Sequence, residues 1–332
     1  MSFEVFWQLP ANGDGRGRDK ATWSRGDFQG VPARENVFAR IGGFDAGLGN
    51  NLTYFDYLAQ VGRAAETSGF DGIFIPQTDE GEEPLIVAGA LAREVGRIRV
   101  APQLPAHFLS AVYTAKIATS FQRLTNGRLI LNLVTGEPEA GAWHGYDWSE
   151  DEQIARADEF LTVFKGVWNE GPYTFEGRYY EVLNGGFAGP LHGQPQPEVF
   201  LSGTSEAALG LSARHADVHI IAAETPDAVA AQIARLNALA AAEGRTLRYA
   251  LNAEIVSRHT AEEAHDAAGE GVADPALVGD FDQVAARLDA YLDAGISVLI
   301  LRSRPHLEEA YRTAQHVLPR LRGWQAVQTA AE

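Results

Sequence analysis

Short apolar runs rich in β-branched residues alternate eight times with stretches of helical spacing along this chain. The strand-like runs are Glu4–Leu9, Gly72–Pro76, Arg99–Leu104, Leu129–Val134, Val199–Leu201, Val218–Ala222, Tyr249–Val256 and Ser297–Leu301. The helical stretches are Leu52–Thr67, Pro84–Val95, Ser110–Leu124, Asp151–Trp168, Ser205–His215, Asp227–Ala242, the pair His259–Ala267 and Phe281–Ala294, and Leu307–Leu321. Regular strand–helix alternation implies a parallel sheet. Continuous apolar strands suit a sheet covered on both faces. Eight units in 332 residues favour a closed α/β barrel, (β/α)₈, over an open doubly wound sheet. No strand is followed by G-x-G-x-x-G opening a helix, which weakens a Rossmann reading. The expectation is one domain spanning 1–332, with two excursions. The long loop 10–51 follows a strand and should cover the catalytic face, and a surface hairpin is expected around 173–182. Pro305 is expected at the first helical position of the last helix, where its missing N–H costs nothing.

Charge and composition narrow the function. The formal net charge is −17, and no basic cluster offers a nucleic-acid face. Cysteine is absent, which removes disulfides, thiolate zinc sites and thiol catalysis. No apolar run reaches membrane-spanning length and no charged n-region with an apolar h-region opens the chain, so a cytoplasmic protein is expected. Histidines give no metal pattern. His215 and His219 straddle a helix end and a strand start on the side of the barrel away from its usual sites.

Barrel enzymes build their sites at the C-terminal ends of the strands, so polar residues there are the candidates. Asn132 interrupts the fourth strand, with Thr135 and Gly136 just beyond it. It is either a structural hydrogen-bonding residue or a ligand contact. Gly203-Thr204-Ser205 follows the fifth strand and opens a helix. That is a phosphate-binding arrangement or a plain loop with an N-cap. Asn252 and Glu254 point the same way on strand seven, and Arg302 and Arg304 share a side at the end of strand eight. Parallel strands lie about 4.8 Å apart, so Glu254 can pair with either arginine. Such a pair is either a structural salt bridge or a charge pair that orients an anionic substrate or intermediate. His107, Trp143, His144 and Trp148 fall in loops after strands three and four, where they line a pocket or cap the barrel.

A resemblance adds to this. Phe6-Trp7 through Pro10 with Gly13-Asp14-Gly15, Asp71-Gly72 to Pro76, Leu124-Thr125-Asn126-Gly127-Arg128 with Asn132–Gly136, Ala157-Asp158-Glu159-Phe160, Phe175-Glu176-Gly177, Gly203-Thr204-Ser205, Ala276–Asp280 and Pro305–Arg312 together resemble the bacterial-luciferase-like flavin-dependent monooxygenases, and among them the alkanesulfonate monooxygenases. The resemblance implies a TIM barrel, FMN used as FMNH2, O2, a separate NAD(P)H-dependent flavin reductase, a small-molecule substrate (organosulfur or anionic compounds included) and a homo-oligomer. It places Asn132, Thr135, Gly136, Gly203, Thr204 and Ser205 at the flavin. The candidate catalytic positions are Asn12, Glu254 and Arg304, and the candidate substrate-binding ones Trp7, His107, Asn252 and Arg302. Several of these depart from the alkanesulfonate pattern. Asn12 stands for a histidine, Gly81 for a cysteine, Asn252 and Glu254 for an arginine and a histidine, Arg304 for a tyrosine, and Ile154 for a flavin-contacting tyrosine. Arg304, at the tyrosine's position, is the arginine expected beside Glu254. The family's lid after strand seven is cut to Arg258–Pro275, and the 10–51 loop is expected to do part of its work. Two other readings stand beside this one. One is a barrel of this type that binds flavin or deazaflavin without oxygenase activity. The other is a hydrolase or lyase using Glu254 as general base.

Overall fold

The computed structural model describes residues 3–11, 13, 54–78, 81–106, 109–134, 145, 147–169, 171–269 and 277–324. The strands are β1 (Glu4–Gln8), β2 (Gly72–Ile75), β3 (Arg99–Pro105), β4 (Leu131–Val134), β5 (Tyr173–Glu176), β6 (Glu181–Gly185), β7 (Val199–Ser202), β8 (Val218–Ala222), β9 (Arg248–Glu254), β10 (Val256–Arg258), β11 (Val278–Asp280) and β12 (Val298–Arg302). The helices are α1 (Tyr54–Thr67), α2 (Pro84–Glu94), α3 (Ala111–Thr125), α4 (Glu150–Asn169), α5 (Glu206–His215), α6 (Pro226–Ala242), α7 (Ala261–Ala268), α8 (Phe281–Asp293) and α9 (His306–Arg312). Eight strands close a barrel in the order β1-β12-β9-β8-β7-β4-β3-β2, as the alternation predicts. β5–β6 and β10–β11 are separate two-stranded sheets. The chain packs as two compact units.

The first unit holds Met1–Ile98, Ala222–Ala230 and Ala250–Glu332. Its sheet has an unambiguous outer face. The Trp7 indole N–H donates to the His306 carbonyl at the start of α9, 3.1 Å away, and its ring centroid lies 5.4 Å from that of Phe70. Register then assigns the other residues. Leu301 and Ile73 pair with Trp7 and share its face, while Phe6 pairs with Ile300 and Gly72 on the opposite, inner face. Gly72 is obligatory, because a Cβ there would lie 1.9 Å from the Phe6 ring.

Two sequence boundaries shift in this unit. The seventh strand does not run through to Val256. It ends at Glu254, and Ile255 donates its N–H to the Arg302 carbonyl at 2.9 Å. Val256 then starts β10, which pairs in parallel with β11. With α7 between them they form a small β-α-β unit around Val256, Ala264 and Val278. Capping boxes close both adjoining helices, Thr260 with Glu263 on α7 and Asp280 with Gln283 on α8. The last helix is also not one piece. α9 stops at Arg312 and continues as a wider π turn, Thr313–Val317, and a 3-10 turn, Leu318–Arg320. Pro319 lacks the N–H an α-helix needs there and its ring collides with the preceding turn. Pro305 is the N-cap of α9 rather than its first helical residue.

The second unit holds Arg99–Ile221 and Ala231–Tyr249. Here His219 marks the outer face, because its Nδ1 lies 2.8 Å from Ser212 Oγ on α5. Leu201 pairs with His219, and Leu133 with Leu201, so both share that face. Gln103, Asn132 and Phe200 pair with one another on the inner face. The hairpin β5–β6 reaches Gly185, beyond the expected 182. Its turn is tied to α4 by the Glu159 carboxylate, which accepts the amides of Arg178, Tyr179 and Tyr180 at 2.8, 2.8 and 3.2 Å.

Candidate functional site

In the first unit the polar cluster sits at the C-terminal ends of two neighbouring strands. Glu254 ends β9, Arg302 ends β12, and the two are register partners. Arg302 Nε donates to Glu254 Oε2 at 3.3 Å, and Nη1 donates to Asn252 Oδ1 at 3.2 Å. The side chains are only 28% and 14% exposed, so the charges meet in a half-dry setting. Phe6, Phe74 and Ile300, all buried, occupy the same inner phase of the alternation. Sequence reasoning left two arginines open as Glu254's partner, and preferred Arg304. The partner is Arg302. Arg304 is exposed and lies beyond the last strand residue, so strand alternation no longer governs where it points.

Trp7 is also corrected. It is fully buried on the outer face, held by α9, and does not share a face with Asn252, Glu254 and Arg302. Asn12 and most of the 10–51 loop lie outside the described residues. The roots of that loop are fixed: Tyr54 donates its hydroxyl to the Pro10 carbonyl, and Ala11 O accepts from Glu82 N at 2.9 Å.

In the second unit, Asn132 is wholly buried on the inner face of β4. Both its Oδ1 and its Nδ2 lack a partner among the described residues. An amide left so in a protein interior costs about 1–3 kcal/mol. Strand β7 then turns into α5 through Gly203, Thr204 and Ser205. Gly203 has φ +133°, and a Cβ there would lie 2.6 Å from Ala208 Cβ. Ser205 is the N-cap, with its Oγ accepting from Ala208 N at 3.3 Å. Thr204 is exposed. The first amides of α5, those of Glu206 and Ala207, are without intrahelical partners, as at any helix start. Thr135, Gly136 and His107 lie outside the described residues. Gln103 and Ser202 were missed as inner-face polar groups. Their signal was available: each is a polar residue in the same alternation phase as Asn132 and Phe200.

The histidine pair disperses. His215 Nε2 lies 3.0 Å from Asp158, whereas His219 turns to Ser212. Among the described residues no group of three metal-ligating side chains forms. Burial pushes the His219 pKa down to about 4 and that of Lys165 down to about 8. Lys165 Nζ donates to the His215 carbonyl, 2.8 Å away, at the end of α5 opposite the Gly203 loop. No helix among the described residues is long and apolar enough to cross a membrane.

The family model described as luciferase-like monooxygenase matches residues 37–270, well over half of the chain. The chain belongs to that family. It is accordingly an enzyme of the flavin-dependent monooxygenase class. The solved structures it resembles agree in fold. DmoA from Hyphomicrobium sulfonivorans superposes with a TM-score of 0.75 at 16% identity, covering 96% of this chain and 87% of that one. EDTA monooxygenase (EmoA) from Chelativorans sp. BNC1 gives 0.73 at 18% identity, covering 96% and 93%. Riboflavin lyase (RcaE), whose structure holds a modified FMN and the substrate riboflavin, gives 0.74 at 17% identity, covering 96% and 91%. Such identities speak for the barrel and not for a substrate.

Proposed function

We propose that this luciferase-like monooxygenase is a two-component enzyme that uses FMNH2, delivered by a separate NAD(P)H-dependent flavin reductase, and O2 to oxygenate a small organic substrate. The observation that carries the reading is the Asn132 amide, buried with neither polar atom partnered among the described residues. A fully buried amide is kept in a strand when something satisfies it, and a flavin ring edge carries alternating acceptors and donors that do so. The second support is the glycine-dependent turn into α5, where backbone amides at a helix start suit a phosphate. On this reading Asn132, Thr135 and Gly136 contact the flavin, and Gly203, Thr204 and Ser205 hold its phosphate. Reduced flavin, when bound, supplies the electrons for oxygen activation. The chain's own share is to hold the cofactor and to place the substrate. Asn252, Glu254 and Arg302 do the latter, while Asn12 and Arg304 are carried by the family likeness alone and His107 by its loop after the third barrel strand.

Titration with FMNH2 under anaerobic conditions tests the cofactor site. Thr204→Glu places like charge at the phosphate and Asn132→Leu removes the amide. Each should weaken binding at least tenfold, and wild-type affinity in both variants would remove the site. The riboflavin lyase likeness favours one second reading, a flavin-binding barrel without monooxygenation. Flavin binding with no oxygen-dependent turnover would select it. The hydrolase or lyase reading loses support, because the Glu254 carboxylate is engaged as the counter-ion of Arg302.

A further inference from the structure

The Arg302 cluster has a charge balance that bears on the kind of molecule it takes. This step rests on the reading that Asn252, Glu254 and Arg302 contact the substrate. Arg302 gives Nε to Glu254 and one Nη1 proton to Asn252 Oδ1. Its charge is thereby compensated by a carboxylate 3.3 Å away, in a setting where both side chains are mostly shielded from water. A sulfonate or carboxylate brought to the guanidinium would meet Glu254 at nearly the same distance. The attraction and the repulsion would largely cancel, while the incoming anion would still lose its hydration. An uncharged acceptor has no such conflict. Among the described residues the Nη2 protons of Arg302 remain as donors, and so does the Asn252 amide once its oxygen faces the guanidinium. The buried residues of the same phase, Phe6, Phe74 and Ile300, are apolar.

We infer that Glu254 is a specificity-determining residue that sets this strip to take an uncharged hydrogen-bond acceptor, a carbonyl oxygen on an apolar body, and to reject organic anions. The inference narrows the substrate class against the alkanesulfonates that the sequence motifs resemble.

The test is calorimetric titration of the whole chain with two probes of matched length, octanamide and 1-octanesulfonate. Wild type should bind octanamide at least tenfold more tightly than the sulfonate. Glu254→Gln keeps the shape and a hydrogen-bond acceptor for Arg302 but removes the charge, so it should reverse the preference. Arg302→Gln should weaken octanamide at least tenfold. Wild-type preference for the sulfonate overturns the inference. So does an unchanged probe ratio in Glu254→Gln, or no binding of octanamide by the wild type. Melting curves check that each variant is folded. Flavin titration on the same preparations separates the outcomes: loss of flavin binding would sink the cofactor reading, whereas the probe ratio alone decides this one.

Discussion

His219 is a base that the fold keeps neutral. It is wholly buried beside Ser212, and burial pushes its pKa down to about 4, against an ordinary value near 6.5. Below 6.5 the unfolded chain therefore binds a proton that the folded chain refuses. Stability from this residue is fully present above about pH 6.5 and is lost as pH falls toward 4, by roughly 3 kcal/mol at most. Urea unfolding at pH 7, 6, 5 and 4 should show this slope, and His219→Gln should flatten it. An equal slope in the variant would show that other groups carry the acid sensitivity. Gly72 makes a steric claim of the same grain. Gly72→Ala drives a methyl into the buried Phe6 ring and should cost about 1–3 kcal/mol, read as a lower melting temperature. At this scale the sequence was legible where chemistry stood out from its surroundings. Asn132 and Glu254 are polar interruptions of apolar strands, and both fall on inner faces, Asn132 within β4 and Glu254 at the C-terminal end of β9. Trp7 was not legible, because Val5-Phe6-Trp7 is buried throughout and its pattern gives no phase. The choice between Arg302 and Arg304 turned on where a strand stops, and boundaries are set by hydrogen bonding that composition does not display.

Helices and strands were read with ends close to those observed, since caps and turns announce themselves. Ser110 caps α3, Asn126 ends it in the left-handed conformation, and Ser205 caps α5. Capping boxes are worth testing as elements. Asp280 accepts from Gln283 N at 2.8 Å while Gln283 returns a bond to Asp280 N at 3.1 Å. Asp280→Ala should destabilise the chain by about 1 kcal/mol and leave flavin binding unaltered. An unchanged unfolding midpoint would show the box to be idle. What the pattern hid is the break at Ile255. Strand-like residues continue across it; Ile255 N still bonds Arg302 O on the barrel ladder, and only the pairing of Val256 with Val278 shows that the chain has left it. The kinked course after Arg312 was foreseeable in Pro319, which the helical spacing of Leu307–Leu321 overrode.

On the whole-molecule scale the barrel follows from alternation alone, whereas the cofactor proposal draws on likeness and on the Asn132 amide, without a partner among the described residues. A ligand that binds only the folded chain must stabilise it. At about 100 times its Kd, FMNH2 should add roughly 2.7 kcal/mol, visible by anaerobic calorimetry as a raised melting temperature. No shift at saturating flavin would withdraw the cofactor proposal. The surplus of 44 acidic over 27 basic residues bears on handling rather than chemistry. Self-repulsion keeps such molecules apart at neutral pH and fades near the sequence pI of 4.9.

The β10-α7-β11 unit has a bearing on how such an enzyme can be altered. Val256 pairs with Val278 and Arg258 with Asp280, so β10 and β11 are tied to each other before the barrel resumes at α8 and β12. Peptide inserted between β10 and β11 would have its two ends already tied by that pairing. Doubling its length would cost only about 0.6 kcal/mol of closure entropy, and no barrel strand would have to change register. The unit is in effect a socket: covers of different size can be plugged in there while the catalytic scaffold stays as it is.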